Sequence, residues 1–188
     1  MRKGPRGEEP HPYRGSTKDG LAEGEVAVRV LDATWSDPPG FFGWFCAINH
    51  KAIGKRFLVT CLVFFALAGL LAAWMRIQLA RPGNTLMGPD LYNQVFTMHG
   101  TTMMFLFAVP MMEGMAVYLV PLMLGTRNVA FPRLNAFGYW VFLTGGLFLF
   151  ISFYLNIGPD AGWFAYTPLS GPEYSAGKRM DVWAQVVT

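Results

Sequence analysis

The chain has 188 residues, of which 53% are hydrophobic and 15% aromatic but only 14% charged, whereas a soluble globular domain carries about a quarter charged residues, so the composition excludes one and points to a membrane. The formal net charge of +3 does not argue for nucleic acid: nine of the fifteen Lys and Arg residues precede position 57, spread out as topogenic charges on a cytoplasmic flank are. With only two cysteines, Cys46 and Cys61, the second inside an apolar run, no disulfide framework is expected.

Residues 1–33 are rich in Gly, Pro and charge and hold few bulky apolar residues, too few to offset the entropy of ordering, so they read as a disordered cytoplasmic tail. Its start, "MRKGPRGEEPHPYRGSTKDG", is longer and more polar than the n-region of a signal peptide and leads into no apolar h-region, which excludes a cleaved targeting signal. Residues 34–56 follow as an interfacial segment, in which Trp35, Phe41, Phe42, Trp44 and Phe45 alternate with turn residues as in an aromatic belt.

From 57 to 188 the chain reads as a transmembrane domain. Residues 57–75 and 134–159 carry no charge, and 91–112 carry none if His99 is neutral; each stretch supplies the roughly 20 apolar residues that cross about 30 Å of hydrocarbon. The predicted spans are 57–80, 91–124 and 134–157, the second interrupted by Pro110 and Pro121, which kink a membrane helix when the freed carbonyls find other partners. Arg127 and Arg133 lie between spans two and three and only Arg81 between spans one and two, which places the N-terminus inside. An outer loop, "GPDAGWFAYTPLSGPEYSAG", leads to "KRMDVWAQVVT", the beginning of a further helix. The expected fold class is therefore all-α: a polytopic transmembrane helix bundle of three spans plus the start of a fourth.

Ionisable residues inside such spans are functional candidates by default. His99 lies roughly 13 Å along span two. It is either a neutral imidazole hydrogen-bonded to a neighbouring helix or a metal ligand, since neutral imidazole is a common axial ligand of haem iron; Gly100 beside it would let a flat macrocycle approach the backbone. Arg76, about five residues inside the outer end of span one, is expected at the depth of His99. It either snorkels to the surface or donates to a polar substituent or propionate of a haem. Glu113, fourteen residues beyond His99, falls within about 40° of the same face of an unbroken α-helix, where a carboxyl either holds and passes protons or bonds a polar neighbour. Met98, Met103, Met104, Met111, Met112 and Met115 are packing residues or soft ligands for Cu(I). His11 and His50 make no cluster, and no GxGxxG, P-loop, CxxC or Ser/His/Asp pattern is present.

Four stretches in order, "NHKAIG" at 49–54, "YNQVFTMHG" at 92–100, "LVPLMLGTRNVAFPRLN" at 119–135 and "GWFAYTPL" at 162–169, resemble subunit I of the haem-copper oxidases, in its cytochrome c oxidase form, over residues 38–188. The resemblance implies a terminal respiratory oxidase of the bacterial inner membrane. Such an enzyme passes electrons from cytochrome c through a low-spin haem, of A or B type, to a haem-copper centre that reduces O2 to water with proton translocation. It implies that His99 is an axial ligand of the low-spin haem, that Arg76 contacts that haem's ring substituent, that Trp163 and Tyr166 lie near its propionates, and that Asn135 belongs to a proton pathway. Other oxidase subunits (II and III) and membrane lipid are the implied partners, and nucleic acid is not.

The departures are Asn128, where the family has the aspartate of that pathway, and Val117, where it has an asparagine; Glu113 is the substitute proton donor this suggests. Leu67 and Leu71 stand where quinol oxidases carry an Arg and an Asp, which favours cytochrome c as donor. The family's subunit I has many more helices, and these hold the second axial ligand, the oxygen-binding haem and the copper site (CuB). The chain is thus expected to be an N-terminal fragment or a truncated copy, inactive alone. The alternative function is a small three-span membrane protein that binds haem or copper through His99 and methionines without oxidase activity; a truncated product with no cofactor is a third.

Overall fold

The structure, a computed structural model, describes residues 23–35, 40–175 and 177–188. Every regular element among them is helical: α1 (Glu23–Trp35), α2 (Gly40–Cys46), α3 (His50–Gln78), α4 (Pro89–Thr101), a π-helical segment (Thr102–Ala108), α5 (Val109–Met123), α6 (Pro132–Tyr154) and α7 (Arg179–Val187). Three continuous rods, His50–Gln78, Pro89–Met123 and Pro132–Tyr154, are long and apolar enough to cross a membrane. They are the three spans expected, and α7 lies where the fourth was expected to begin.

α1 occupies a stretch expected to be part of a disordered tail. The Gly and Pro residues that dominate the composition of 1–33 all precede Glu25; from there to Trp35 no helix breaker intervenes, and Glu23 and Glu25 stand at the positive end of the helix. Residues 1–22 and 36–39 lie outside the described residues.

Span one also starts earlier than its apolar run. Asn49, extended at the N-cap, accepts from the Lys51 N–H, and Asn128 from the loop before α6 accepts from the His50 N–H at 3.1 Å. Two side chains thus satisfy two of the amides that a helix start leaves orphaned, and α3 can begin within the interfacial segment despite its charges. Arg56 turns inward there, donating to the Ala47 carbonyl at 3.2 Å with its guanidinium 4.8 Å from the Trp44 ring, while Phe45 stacks on Trp140 of α6 at 3.9 Å. This aromatic and cationic layer sits at one end of the bundle.

Span two is not kinked at a simple break. Pro110 has no N–H, and in an α-helix its ring would press on the carbonyl four residues back. Here the turn before it is widened, and the Val109 N–H reaches the Met104 carbonyl five residues away, a π-type bond that absorbs the proline. Below the widened turn the rod crosses α3 very closely. A Cβ on Gly114 would stand 2.6 Å from the Phe57 Cβ, and one on Gly54 would stand 2.8 Å from the Tyr118 Cβ. Above it, the core gathers Phe64, Leu71, Met75, Val95, Met98, Leu106 and Leu149. Met98 is thereby a packing residue, and Met112 and Met115 are exposed.

The far end of the bundle is closed by Arg179, the first residue of α7. It donates to Asp90 at the start of α4 (2.6 Å) and to Asp160 of the loop after α6 (2.7 Å). Gln94 in turn donates to Asp90 and Asn156, and Ser175 donates to Asp160. Hydrogen bonds to Asp90 and then Asp160 hold the guanidinium more firmly protonated than an ordinary arginine. With the Asp160 side chain only 9% exposed, Arg179→Gln leaves a nearly buried carboxylate without its cation, at a cost of about 1–3 kcal/mol. We expect faster hydrogen exchange in residues 156–175 and around Asp90, with the middle of α3 unchanged.

Candidate functional site

The site is built on α4. The His99 Nδ1 lies 2.9 Å from the carbonyl oxygen of Ala68 on α3. A backbone carbonyl only accepts, so Nδ1 carries the proton in this bond and Nε2 keeps its lone pair. The two readings of His99 therefore do not compete: the imidazole is bonded to a neighbouring helix through one nitrogen and is a ready ligand through the other. Orientation of a ligating histidine by an acceptor on its far nitrogen is the usual arrangement around protein-bound metals.

Arg76 is not level with this histidine. Ala68 stands eight residues before it on α3, which is about 12 Å along the axis, and the arginine is exposed. The depth match expected from counting residues fails because Arg76 stands only two residues before the end of α3, whereas His99 stands ten residues past the start of α4, the same count that separates Ala68 from Gln78.

Glu113 does not share His99's face either. The expectation assumed an unbroken α-helix; one widened turn sets the face back by about one residue, or 100°. Gly114 consequently takes the place against α3, on Phe57, and Glu113 is exposed on the outside of this chain.

Gly100 makes room for something other than a macrocycle. A Cβ there would lie 2.6 Å from Trp163 Cδ1 and 3.0 Å from its Cβ, so the indole of the outer loop is seated on the helix beside His99. The Gly162 N–H donates to Thr97 Oγ1 at 2.8 Å, and the Trp183 indole N–H of α7 donates to Thr101 Oγ1 at 3.0 Å. Trp163 is thus brought to α4 at Gly100, while Tyr166, from the same loop, is 70% exposed and touches Phe164, with ring centroids 5.1 Å apart. Thr97, Thr101 and Trp183 went unnoticed in the sequence, where the signal was the i, i+3, i+4 spacing of Thr97, Gly100 and Thr101 on one helix face.

At the opposite end, Asn135 keeps a buried Nδ2 without a hydrogen-bond acceptor among the described residues, one turn before Tyr139, whose hydroxyl meets Thr60 at 3.0 Å. Asn128 uses both halves of its amide: Oδ1 accepts from His50 and Nδ2 donates to the Ile48 carbonyl at 3.2 Å. An aspartate could fill only the accepting half. Val117 packs on the Ile53, Phe57 and Tyr139 cluster. His50, set aside in the sequence as solitary, is 2% exposed and lies against the Arg127 backbone.

The profile of the family described as cytochrome c and quinol oxidase polypeptide I matches residues 52–187. The chain belongs to that family. Among curated relatives, it is 45% identical over 175 residues to a probable cytochrome c oxidase subunit 1-alpha of Streptomyces coelicolor, covering 92% of this chain and 29% of that protein. It is 50% identical over 123 residues to cytochrome c oxidase subunit 1 of Bacillus sp. strain PS3, covering 65% and 20%. With cytochrome c oxidase subunit 1 of Bacillus subtilis it shares 46% over 134 residues, 71% and 21%. The chain thus spans less than a third of the length of these relatives. Polypeptide I of this family implies haem and copper as cofactors, and His99 fits the first: its Nε2 is the kind of neutral nitrogen donor that haem iron takes axially. Among the described residues no group of three or more His, Cys, Asp and Glu residues converges as a metal site.

Proposed function

We propose that this chain forms part of subunit I of a proton-translocating cytochrome c oxidase of a bacterial plasma membrane, with its N-terminus cytoplasmic. In that enzyme His99 provides one of two axial ligands to a low-spin haem. The observation that carries the reading is the His99–Ala68 hydrogen bond, because it leaves Nε2 available at a fixed orientation. A bound haem supplies reversible one-electron exchange. The protein's own part is to orient the imidazole through the Ala68 carbonyl, to keep bulk water away with the apolar layer around Met98 and Leu106, and to present Arg76 and Trp163 to the ring's periphery, where the guanidinium and the indole N–H are donors for polar substituents. Tyr166 reaches that periphery only if its loop moves inward from the exposed position.

By the family resemblance, the second axial ligand, the oxygen-reducing haem and CuB would be held by helices beyond those this chain matches. Asn135 supports a proton route at the cytoplasmic end through its unengaged Nδ2, whereas Asn128 is occupied as a strap. Glu113 would serve a proton route only along the outside of this chain, against segments it does not contain.

Cytochrome c is the proposed donor, because Leu67 and Leu71 put apolar side chains where a quinol headgroup needs charged partners; Leu71 is buried in the core. The test is oxygen uptake by the complete oxidase with reduced cytochrome c against a reduced quinol. We expect turnover with the first and little with the second. Oxygen uptake with quinol alone would overturn the choice of donor, and none with either, in an enzyme that retains its haems, would overturn the oxidase reading.

A further inference from the structure

α4 is held from two sides. On one face His99 bonds α3 through the Ala68 carbonyl. On another face Thr97, Gly100 and Thr101 receive, in turn, the Gly162 N–H, the Trp163 ring and the Trp183 N–H. Thr97 and Thr101 are both 0% exposed, and Phe105 in the π segment closes the group, with ring centroids 6.4 Å from Trp163 and 6.3 Å from Trp183. The widened turn begins at the next residue, Thr102.

A π-type turn is the weakest place in a helix at which to fix rotation, because its bonds span an extra residue and its geometry is looser than that of an α-turn. An imidazole placed three residues before it depends for its direction on whatever prevents the helix from rolling. Thr101 is the last α-helical residue, and its hydroxyl is tied to a different helix, α7. A donor from an indole costs little conformational entropy and has only one direction in which to point.

We propose that Trp183 and Thr101 are positioning residues for the haem-ligating His99: their hydrogen bond, together with the Trp163 ring seated on Gly100, sets the roll of α4 and thereby the direction of the Nε2 lone pair. This rests on the reading of His99 as an axial ligand. It makes α7 a determinant of the low-spin haem's electronic state through Thr101, two residues from the histidine.

The test uses the complete oxidase with Trp183→Phe, which keeps a ring but removes the donor, and Thr101→Val, which keeps the shape but removes the acceptor. Each should retain both haems and shift the midpoint potential and visible band of the low-spin haem, changing the equilibrium with the donor between about two- and tenfold, as one lost hydrogen bond allows. The double variant should show no more than the larger single effect, because the pair acts as a unit. Thr101→Ser, which keeps the hydroxyl, should restore the parental potential. Unshifted potential and spectrum in Thr101→Val would overturn the proposal, as would lower stability alone. Should Trp183→Phe fail to assemble, the Thr101→Val and Thr101→Ser pair decides by itself. His99→Leu separates this from the parent reading: a low-spin haem that survives there sinks the ligand assignment, whereas its loss there, with unshifted Thr101 variants, sinks only the positioning role.

Discussion

The complete oxidase carrying His99→Leu is expected to lose the low-spin haem signature in its reduced spectrum and to lose cytochrome c oxidation by more than about 100-fold, beyond what removing a mere supporting partner of a ligand costs. Leucine matches imidazole in volume closely enough for the surrounding helices to keep their packing. It leaves the Ala68 carbonyl without its extra donor but still within the α3 hydrogen-bond ladder, so the structural penalty is on the order of 1 kcal/mol. A large loss of haem with a small loss of helix stability is the combination that identifies a ligand. Equal loss of both would mean that the histidine serves packing alone. The measurements are a reduced-minus-oxidised spectrum and a thermal melt on the same preparation.

The second large effect is steric. Gly114→Ala is expected to destabilise the bundle by about 1–3 kcal/mol and to lower the yield of assembled subunit, because the new methyl meets the Phe57 Cβ at 2.6 Å and neither backbone has room to retreat. Phe57→Ala should not rescue it, since alanine keeps the offending atom. Gly146→Ala makes the contrast: its Cβ would lie only 2.5 Å from Phe64 Cζ, the far end of a ring, so Phe64→Leu should recover most of what that substitution loses. Rescue in both cases would show that α3 and α5 are farther apart than described, and rescue in neither would show that the α3–α6 contact is equally rigid. Thermal melts of the four single and two double variants in detergent read the outcome.

The spans were legible because hydrocarbon imposes a length and forbids charge, and 57–75, 91–112 and 134–159 obey both constraints without help from tertiary structure. The start of α3 was not, because it depends on Asn128 arriving from 78 residues away. α1 was missed through averaging, its helix-compatible residues being counted together with the Gly and Pro before them. His99 stood out by cost: an imidazole in an apolar run asks for a reason. Its relation to Arg76 and Glu113 was misjudged because residue counting needs the true helix ends and a constant turn. α3 ends at Gln78 and α4 begins at Pro89, each two residues from where the apolar runs placed them, and the Met104–Val109 bond breaks the constant turn. The tryptophan brace could not be foreseen, since Trp163 and Trp183 reach α4 from segments whose placement no local pattern encodes.

The widened turn at Thr102–Ala108 works as a clutch within span two. Above it, the azimuth of the rod is held by His99 on Ala68 and by the tryptophans on Gly100 and Thr101; below it, by the close seat of Gly114 on Phe57. A uniform helix would have to satisfy both with one angle, so that any adjustment for the imidazole would drive the other half into α3. With slack between them, the histidine's aim and the closeness of the helix crossing can be tuned separately, one half of the same rod at a time.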